Sequence, residues 1–221
     1  MQTKKNDLGF VELVESMGDA LSIVNAARIS FGRSQAGELT EKDKRLIKYL
    51  WRNKHTSPFR HVCFKFHIKA PIFILRQWMK HQVGCSWNEI SGRYVKFDPS
   101  FYEPEKFRIQ STKVKQGSGG PIENQLNACS IYNDSINQSY SAYERLLEAG
   151  VCREQARTVL PLSLFSQCYW TASLHAVIHF LNLRLKKDAQ LEIRLYAEAV
   201  REILEKQVGM DFVLKVCLDE L

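Results

Sequence analysis

The sequence predicts an α+β fold, in which one helix-rich domain is built around a small central sheet, mixed or antiparallel. The first observation behind this prediction is the segment from Val62 to Lys69, where apolar and polar residues alternate as in a half-buried strand. The second is that helical apolar patterns lie on both sides of that strand. The third is the composition, 45% hydrophobic and 25% charged over 221 residues, which suits a single globular domain spanning 1–221.

Two short helices are predicted before the strand. Asp19 can cap the first, which should end near 30–32. The second should begin at Thr40, because its spacing to Asp43 resembles a capping box. Its buried face would comprise Leu46, Ile47, Leu50 and Trp51.

A helix, a polar stretch and a loop are predicted after the strand. Pro71 should open a helix over 72–81, and the polar stretch that overlaps its end, Lys80 to Tyr94, contains Gly92, which favours an extended or looped form. In an extended form Glu89, Ser91 and Arg93 would share one face. A strand and exit turn are predicted over 94–102, and the glycine-rich segment 103–121 is interpreted as a mobile surface loop or lid.

The C-terminal half is predicted to be helical. One helix should cover 122–149 and end at Gly150, and a shorter one should end at Pro161. Ser173 can cap the next helix, and a last helix is expected from about Asp188 to Lys206. The helix after Ser173 should bury Leu174, Val177, Ile178, Leu181 and Leu185.

Composition narrows the classes of function. No apolar signal core follows the first seven residues and no apolar run could span a bilayer, so a cytoplasmic location without membrane contact is expected. The six cysteines form no Cys-x-x-Cys pair, which argues against a zinc knuckle or a disulfide framework. The net charge of +7 is spread along the chain, a distribution that favours anionic small molecules over a dedicated nucleic-acid surface.

The polar stretch Lys80–Tyr94 is the strongest candidate for a site. It combines cations, a histidine, a carboxylate, hydroxyls and an amide with few aliphatic residues, which indicates binding of a charged, polar ligand. Cys85 within it is not expected to be a nucleophile, because the C-terminal end of a helix disfavours a thiolate. His175 and His179 stand one turn apart, but no third ligand follows at a suitable spacing, so no metal site is predicted.

These residues resemble the flavin-dependent thymidylate synthases. The family signature is Arg-His-Arg, a spacer, and Ser-x-Asn-Glu-x-Ser-x-Arg-Tyr, and the likeness extends in order over about 20–205. The matching blocks are Ser86-Trp87-Asn88-Glu89-Ile90-Ser91-Gly92-Arg93-Tyr94, His55-Thr56-Ser57-Pro58-Phe59, Arg76-Gln77-Trp78, Arg157-Thr158-Val159-Leu160-Pro161-Leu162, Phe180-Leu181-Asn182-Leu183-Arg184 and Ala189-Gln190.

The resemblance implies reductive methylation of dUMP to dTMP. It implies bound FAD, NADPH and methylenetetrahydrofolate as co-substrates, and a homotetramer whose active sites are shared between subunits. The implied nucleotide site comprises Gln77, Trp78, Met79, Lys80, Glu89, Ile90, Ser91, Gly92, Arg93, Arg157 and Arg184. The implied FAD site comprises His55, Ser57, Lys80, His81, Gln82, Glu89, Ser173, Leu174, His175 and His179.

Chemistry assigns roles to four of these residues. Arg93 and Arg157 can bind a nucleotide phosphate, because the planar guanidinium matches phosphate oxygens. A pyrimidine attacked at carbon 6 gains negative charge on a ring nitrogen and a carbonyl, and Arg184 would stabilise that charge by roughly 3 kcal/mol. Ser91 is expected to be a catalytic hydrogen-bond donor rather than a nucleophile, because no base adjacent in the sequence could activate it.

The departures from the family pattern fall mainly on its flavin and folate side. Lys80-His81-Gln82 replaces Arg-His-Arg, one extra residue precedes Ser86, and Arg60, His175 and Asp188 stand where relatives commonly differ. One alternative is therefore an enzyme of the same fold that transfers another group, such as hydroxymethyl, to a pyrimidine nucleotide. Another is a non-enzymatic binder of nucleotides or single-stranded nucleic acid, although the carboxylate of Glu89 would repel a phosphate backbone.

Overall fold

A four-stranded antiparallel sheet forms the centre of the molecule in the computed structural model, which describes residues 9–112 and 115–218. Its strand order is β1-β2-β6-β3. The strands are β1 (Phe10–Met17), β2 (Cys63–Pro71), β3 (Cys85–Glu89) and β6 (Phe165–Ser173). The α+β prediction with a small central sheet is thus confirmed. The interpretation of the first seven residues lies outside the described part of the chain.

Helices flank this sheet and form most of the remaining structure. They are α1 (Ala20–Arg28), α2 (Glu41–Arg52), α3 (Ile72–Trp78), α4 (Gln125–Glu148), α5 (Arg153–Ala156), α6 (Leu174–Arg184), α7 (Leu191–Glu205) and α8 (Met210–Cys217), with 3-10 turns at Ile29–Phe31, Ser57–Arg60 and Arg157–Val159. None of the helices in 9–112 and 115–218 combines the length and the apolar character that crossing a membrane requires.

Strand β2 lies where its alternating sequence predicts. Phe64, Phe66 and Ile68 are buried, and β2 pairs antiparallel with both β1 and β6. Its inward side chains therefore meet a core that β6 and the helices complete, while the polar ones face outward.

The predicted caps are confirmed. The Asp19 carboxylate accepts a hydrogen bond from the Ser22 amide at 2.9 Å, and Thr40 and Asp43 form a reciprocal capping box. The Ser173 hydroxyl accepts from the Ala176 amide at 3.3 Å, and Gly150 after α4 has a φ of 83°. Local hydrogen bonding therefore fixes these helix ends as the sequence indicates.

Two predicted elements differ in the structure. The helix expected over 72–81 ends at Trp78, because the His81 amide donates to the Trp78 carbonyl at 2.9 Å in a tight turn. The strand expected over 94–102 is wrong: its one β contact is an isolated bridge from Phe101 to Leu164. The chain turns at Ser91, just before this segment, and Pro99 within it lacks an amide hydrogen. The segment therefore forms no continuous hydrogen-bonded pairing with another strand.

The segment 103–121 contains a hairpin, of which 113–114 lie outside the described residues. Its strands are β4 (Arg108–Gln110) and β5 (Ser118–Pro121). Buried Glu192 on α7 accepts hydrogen bonds from Arg108 at 2.6 Å and from the Tyr102 hydroxyl at 3.0 Å. These bonds anchor the base of the hairpin, and motion of its tip as a lid stays a prediction.

An aromatic cluster lies under the polar stretch. The Trp78 ring stacks on Phe180, with 4.7 Å between ring centroids, and meets Trp170 edge-on at 5.2 Å. Trp170 in turn stacks on Trp87 of β3 at 5.5 Å. This packing joins α3, α6, β3 and β6, and it gives the residues between Trp78 and Trp87 a rigid base.

Candidate active site

The first half of the polar stretch, Lys80–Cys85, forms a tight turn against α6. The Cys85 amide donates to the Gln82 carbonyl at 3.1 Å, and Gly84 has a φ of 74°. The Gly84 carbonyl accepts the Ser173 amide at 3.0 Å. A side chain at position 84 would come within 2.9 Å of the Ser173 hydroxyl, so the close approach requires glycine.

The second half, Ser86–Tyr94, is extended only as far as Glu89. The Ser91 carbonyl then accepts hydrogen bonds from the amides of Tyr94 at 2.9 Å and Val95 at 3.1 Å. The prediction that Glu89, Ser91 and Arg93 share the face of an extended segment is therefore wrong beyond Glu89. The Ser91 hydroxyl accepts from the Arg93 amide at 3.3 Å, which leaves its own hydrogen available as a donor.

Glu89 is oriented by a buried hydroxyl. The Ser166 hydroxyl, on β6 and 2% exposed, donates to Glu89 Oε1 at 2.6 Å. Burial, and then the Glu89 charge, raise the pKa of the Cys168 thiol to about 12, so this thiol stays protonated. Sequence reasoning missed Ser166, because a small hydroxyl is conspicuous only once β6 is known and this position is seen to be buried.

A recess of about 150 Å³ opens beside Glu89. Arg157 lines it and has no ion pair or side-chain hydrogen bond with any residue in 9–112 or 115–218. A Cβ atom at position 92 would lie 2.3 Å from the Phe97 ring, so only glycine allows the backbone and this ring to pack so closely beside the recess. The lining residues are Ile72, Glu89, Ile90, Gly92, Phe97, Arg157, Leu160 and Leu164. The recess thus contains one carboxylate, that of Glu89, and one guanidinium, that of Arg157, and its remaining lining is apolar.

Arg184 forms a second group with His81. Arg184 Nε donates to His81 Nε2 at 3.0 Å, and His81 is 9% exposed, with its ring edge-on to Phe180. Burial first, then the positive charge of Arg184 and the neighbouring His179, lower the pKa of His81 to about 4. Burial also lowers the pKa of Arg184.

Basic side chains continue from this group along α6. The His179 ring lies 5.8 Å from that of His81 between centroids, and half-buried His175 lies 6.2 Å from the Trp51 ring. Burial, then Arg60 and His179, lower the pKa of His175. Within the described residues, no group of three His, Cys, Asp or Glu side chains is placed to hold a metal ion.

The remaining candidate residues fall into exposed and buried sets. Trp78 and Leu174 are fully buried, so their side chains support the site from below. The amide oxygen of Gln77 is buried and accepts no hydrogen bond from the part of the chain that is described. His55 packs edge-on to Tyr49 at 5.9 Å. The exposed or half-exposed set is His55, Ser57, Met79, Lys80, Gln82 and Arg93.

Comparison with known proteins is consistent across sequence and structure. The sequence model of the thymidylate synthase complementing protein family, Thy1, matches residues 12–208. A flavin-dependent thymidylate synthase of Thermus thermophilus is 50% identical over 204 residues, 92% of this chain and 74% of that protein. One from Kosmotoga olearia is 45% identical over 214 residues, 96% of this chain and 92% of that protein.

Solved structures are also similar to this chain over most of its length. The UMP/dUMP methylase PolB from Streptomyces cacaoi, bound with 5-Br dUMP, superposes with a TM-score of 0.83 and 31% identity over 94% of each chain. The same protein bound with 5-Br UMP superposes with a TM-score of 0.84 and 30% identity, over 97% of this chain and all of that one.

Proposed function

Because this chain belongs to the Thy1 family, the flavin-dependent thymidylate synthases, we propose that it methylates dUMP to dTMP with FAD as its flavin. Methylenetetrahydrofolate would supply the one-carbon unit and NADPH the reducing equivalents. The observation that carries the proposal is the recess beside Glu89, where Arg157 has no partner in the described structure. An unpaired guanidinium over apolar walls suits a nucleotide, which has an anionic phosphate and a flat base.

Each of the proposed nucleotide-binding residues can contact a different part of the nucleotide. Arg157 and exposed Arg93 would bind the phosphate, and the buried amide oxygen of Gln77 would accept a hydrogen bond from the ligand. Arg184 would stabilise the negative charge that develops on the pyrimidine ring, with Ser91 as a hydrogen-bond donor at its edge. Glu89, held by Ser166, would keep a fixed acceptor between the two substrates.

Residues on α6, in the turn before β3 and in the 3-10 turn Ser57–Arg60 fit a flavin dinucleotide. Arg60, Lys80, His175 and His179 form no ion pair with an acidic residue in the described ranges, so this donor set suits the pyrophosphate. When bound and reduced, the flavin supplies the hydride.

Gly84, where a side chain would clash with Ser173, keeps the backbone of the turn close to α6. His55, Ser57 and Gln82 would complete the contacts, and the protein would act in the cytoplasm.

The recess is small for the ligands together. Pockets for small molecules usually enclose about 300–1,000 Å³, so a recess of about 150 Å³ accommodates only part of a nucleotide and its cofactor. This shortfall supports the expectation of a homotetramer in which further copies of the chain complete each site.

The experiment that tests the function is a set of three measurements on the purified protein. We expect a flavin absorption spectrum after incubation with FAD, NADPH oxidation that accelerates when dUMP is added, and a product heavier than dUMP by one methylene. A colourless protein that takes up no FAD would overturn the proposal.

A second candidate is a variant reaction at the same site. The solved relative is named a UMP/dUMP methylase, and here Lys80 and Gln82 replace two arginines of the family signature. Lysine keeps one charge without the bidentate fork, whereas glutamine loses the charge. Turnover with UMP would favour a broader nucleotide range, and a product with an additional oxygen atom would favour hydroxymethyl transfer.

A further inference from the structure

His81 is nearly buried, yet its imidazole makes a polar contact with a residue of the site. The residue is 9% exposed, and its ring lies edge-on to Phe180, with 5.2 Å between centroids. Its Nε2 atom accepts the Nε hydrogen of Arg184 at 3.0 Å. A buried polar group normally has a partner, and here the partner is the guanidinium expected at the pyrimidine.

The contact fixes the protonation state of the imidazole. Arginine can only donate hydrogen bonds, so Nε2 must be an acceptor and the single ring proton of neutral histidine lies on Nδ1. The groups that face the ring are Arg184 and His179 from α6 and the apolar Phe180. Burial and these two basic neighbours all disfavour a positive charge on His81, which agrees with its pKa of about 4.

The contact also fixes the orientation of Arg184. A guanidinium is planar and carries its donors in a rigid fork, so one bond at Nε sets the plane and the direction of the two terminal amino groups. Those two groups form no hydrogen bond to any residue in 9–112 or 115–218. They remain available for a ligand, and the entropy cost of orienting them is already met in the folded protein.

We propose that His81 is a positioning residue for Arg184: its neutral imidazole holds the guanidinium with both terminal amino groups directed at the reacting pyrimidine. This inference rests on the proposed function for the identity of the ligand. It assigns His81 a role on the nucleotide side of the site, through Arg184, in addition to the flavin contact that the family resemblance implies.

The matched pair His81→Gln and His81→Met tests this role. Glutamine places an acceptor oxygen near the position of Nε2, whereas methionine fills similar space without accepting a strong hydrogen bond. We expect the kcat of His81→Gln to exceed that of His81→Met by roughly 10- to 100-fold, because small misplacement of a catalytic group is costly and both variants lose the imidazole equally. Equal activity of the two variants would contradict the proposal.

A double-mutant cycle separates positioning from packing. Arg184→Lys removes the Nε donor and keeps the charge, so His81→Met should have little further effect on kcat in that background. Fully additive losses would show that His81 acts independently of Arg184. His67→Met, on a histidine of β2 that contacts Gln167, is the matched control and should leave kcat within about twofold.

A measurement without substrate keeps this test separate from the proposed function. Nuclear magnetic resonance of the histidine rings in the ligand-free protein should show His81 with its proton on Nδ1. Its pKa should lie well below the usual range and should rise in Arg184→Met, where the adjacent positive charge is absent. An Nε2-protonated ring or an unchanged pKa would overturn the His81–Arg184 contact. Correct ring behaviour with no dUMP turnover would instead contradict the proposed function.

Discussion

The two halves of the polar stretch Lys80–Tyr94 are held by the fold in different ways. In the first half His81 turns inward and bonds Arg184, and Gly84 packs against the start of α6. In the second half Glu89 faces an open recess, and Arg93 and Tyr94 are exposed. The buried histidine of the first half is therefore held by internal contacts, whereas the charged side chains of the second half are exposed.

This difference explains where the sequence can depart from the family pattern. Lys80 and Gln82, two of the changed positions, are exposed, and the turn that follows them has Gly84 at a φ of 74°. The histidine between them is the member of the triplet whose side chain is buried. Lys80 and Gln82 are thus side chains on which the packing of the turn does not depend.

The largest effect is expected for Arg184→Ala, which removes the group that the first half supports. Turnover should fall by two or more orders of magnitude, since one well-placed donor to a developing charge contributes about 3 kcal/mol. KM for dUMP should change much less, and circular dichroism should show an intact fold because Arg184 is only partly buried. Unchanged turnover would remove Arg184 from the mechanism.

Local features such as helix caps could be predicted from the sequence more accurately than contacts between segments that are far apart in the chain. Caps at Asp19, Thr40 and Ser173 depend on neighbours within three residues, and all three were predictable. Strands β1 and β6 were missed, because their pairing partners lie far away in the chain and both lack the clear alternation of β2. The segment of β3 was expected only as an extended or looped form, without its pairing to β6.

The same limit applies to the candidate site. The residues of Ser86–Tyr94 could be chosen from sequence, because they form one compact motif. The contacts of His81 with Arg184 and of Ser166 with Glu89 join residues 103 and 77 positions apart. Such pairs arise from the register of β6 between β2 and β3 and from the docking of α6, which no local pattern specifies.

Acid should weaken the fold through the buried histidine of the first half. The folded pKa of His81, about 4, lies below its usual value of 6.5, so the unfolded chain binds more protons between these values. This contribution to the free energy of unfolding is fully present above pH 6.5 and is lost as the pH falls toward 4. The loss should be about 3 kcal/mol, because the two pKa values differ by about 2.5 and each pKa unit corresponds to 1.36 kcal/mol.

Urea unfolding of the wild type and of His81→Gln from pH 4 to 7 measures this contribution. The variant should lack most of the slope, whereas His175, whose pKa is also lowered, contributes equally to both proteins. Asp43 acts at lower pH: burial opposes its charge, but hydrogen bonds from Thr40, Gln35 and Arg28 prevail and lower its pKa to about 2. Identical slopes above pH 4 would show that His81 is not buried in neutral form.

Replacing one glycine in each half by alanine, at Gly84 and at Gly92, should affect different properties: the first the stability of the fold, the second the binding of dUMP. Gly84→Ala forces a left-handed φ and a contact with Ser173, and should cost about 1–2 kcal/mol, lowering Tm by roughly 2–6 °C. Gly92→Ala has no such backbone strain, but it must displace the Phe97 ring into or away from the recess. It should weaken dUMP binding in calorimetry with a smaller change in Tm, and the opposite pattern would contradict the division between the halves.

The smallest effect is expected for Ser166→Ala, which tests how the second half holds its carboxylate. The Ser166 hydroxyl donates to Glu89 at 2.6 Å, but Glu89 itself is exposed, so water can replace this donor in the variant. The substitution should therefore weaken dUMP binding by only about 1 kcal/mol. We expect KM for dUMP to rise about fivefold while Tm changes little. Thr171→Ala, at an exposed position of the same strand, should leave KM unchanged. Equal effects of the two substitutions would mean that Glu89 needs no support from β6, and that its position is set by the ligand.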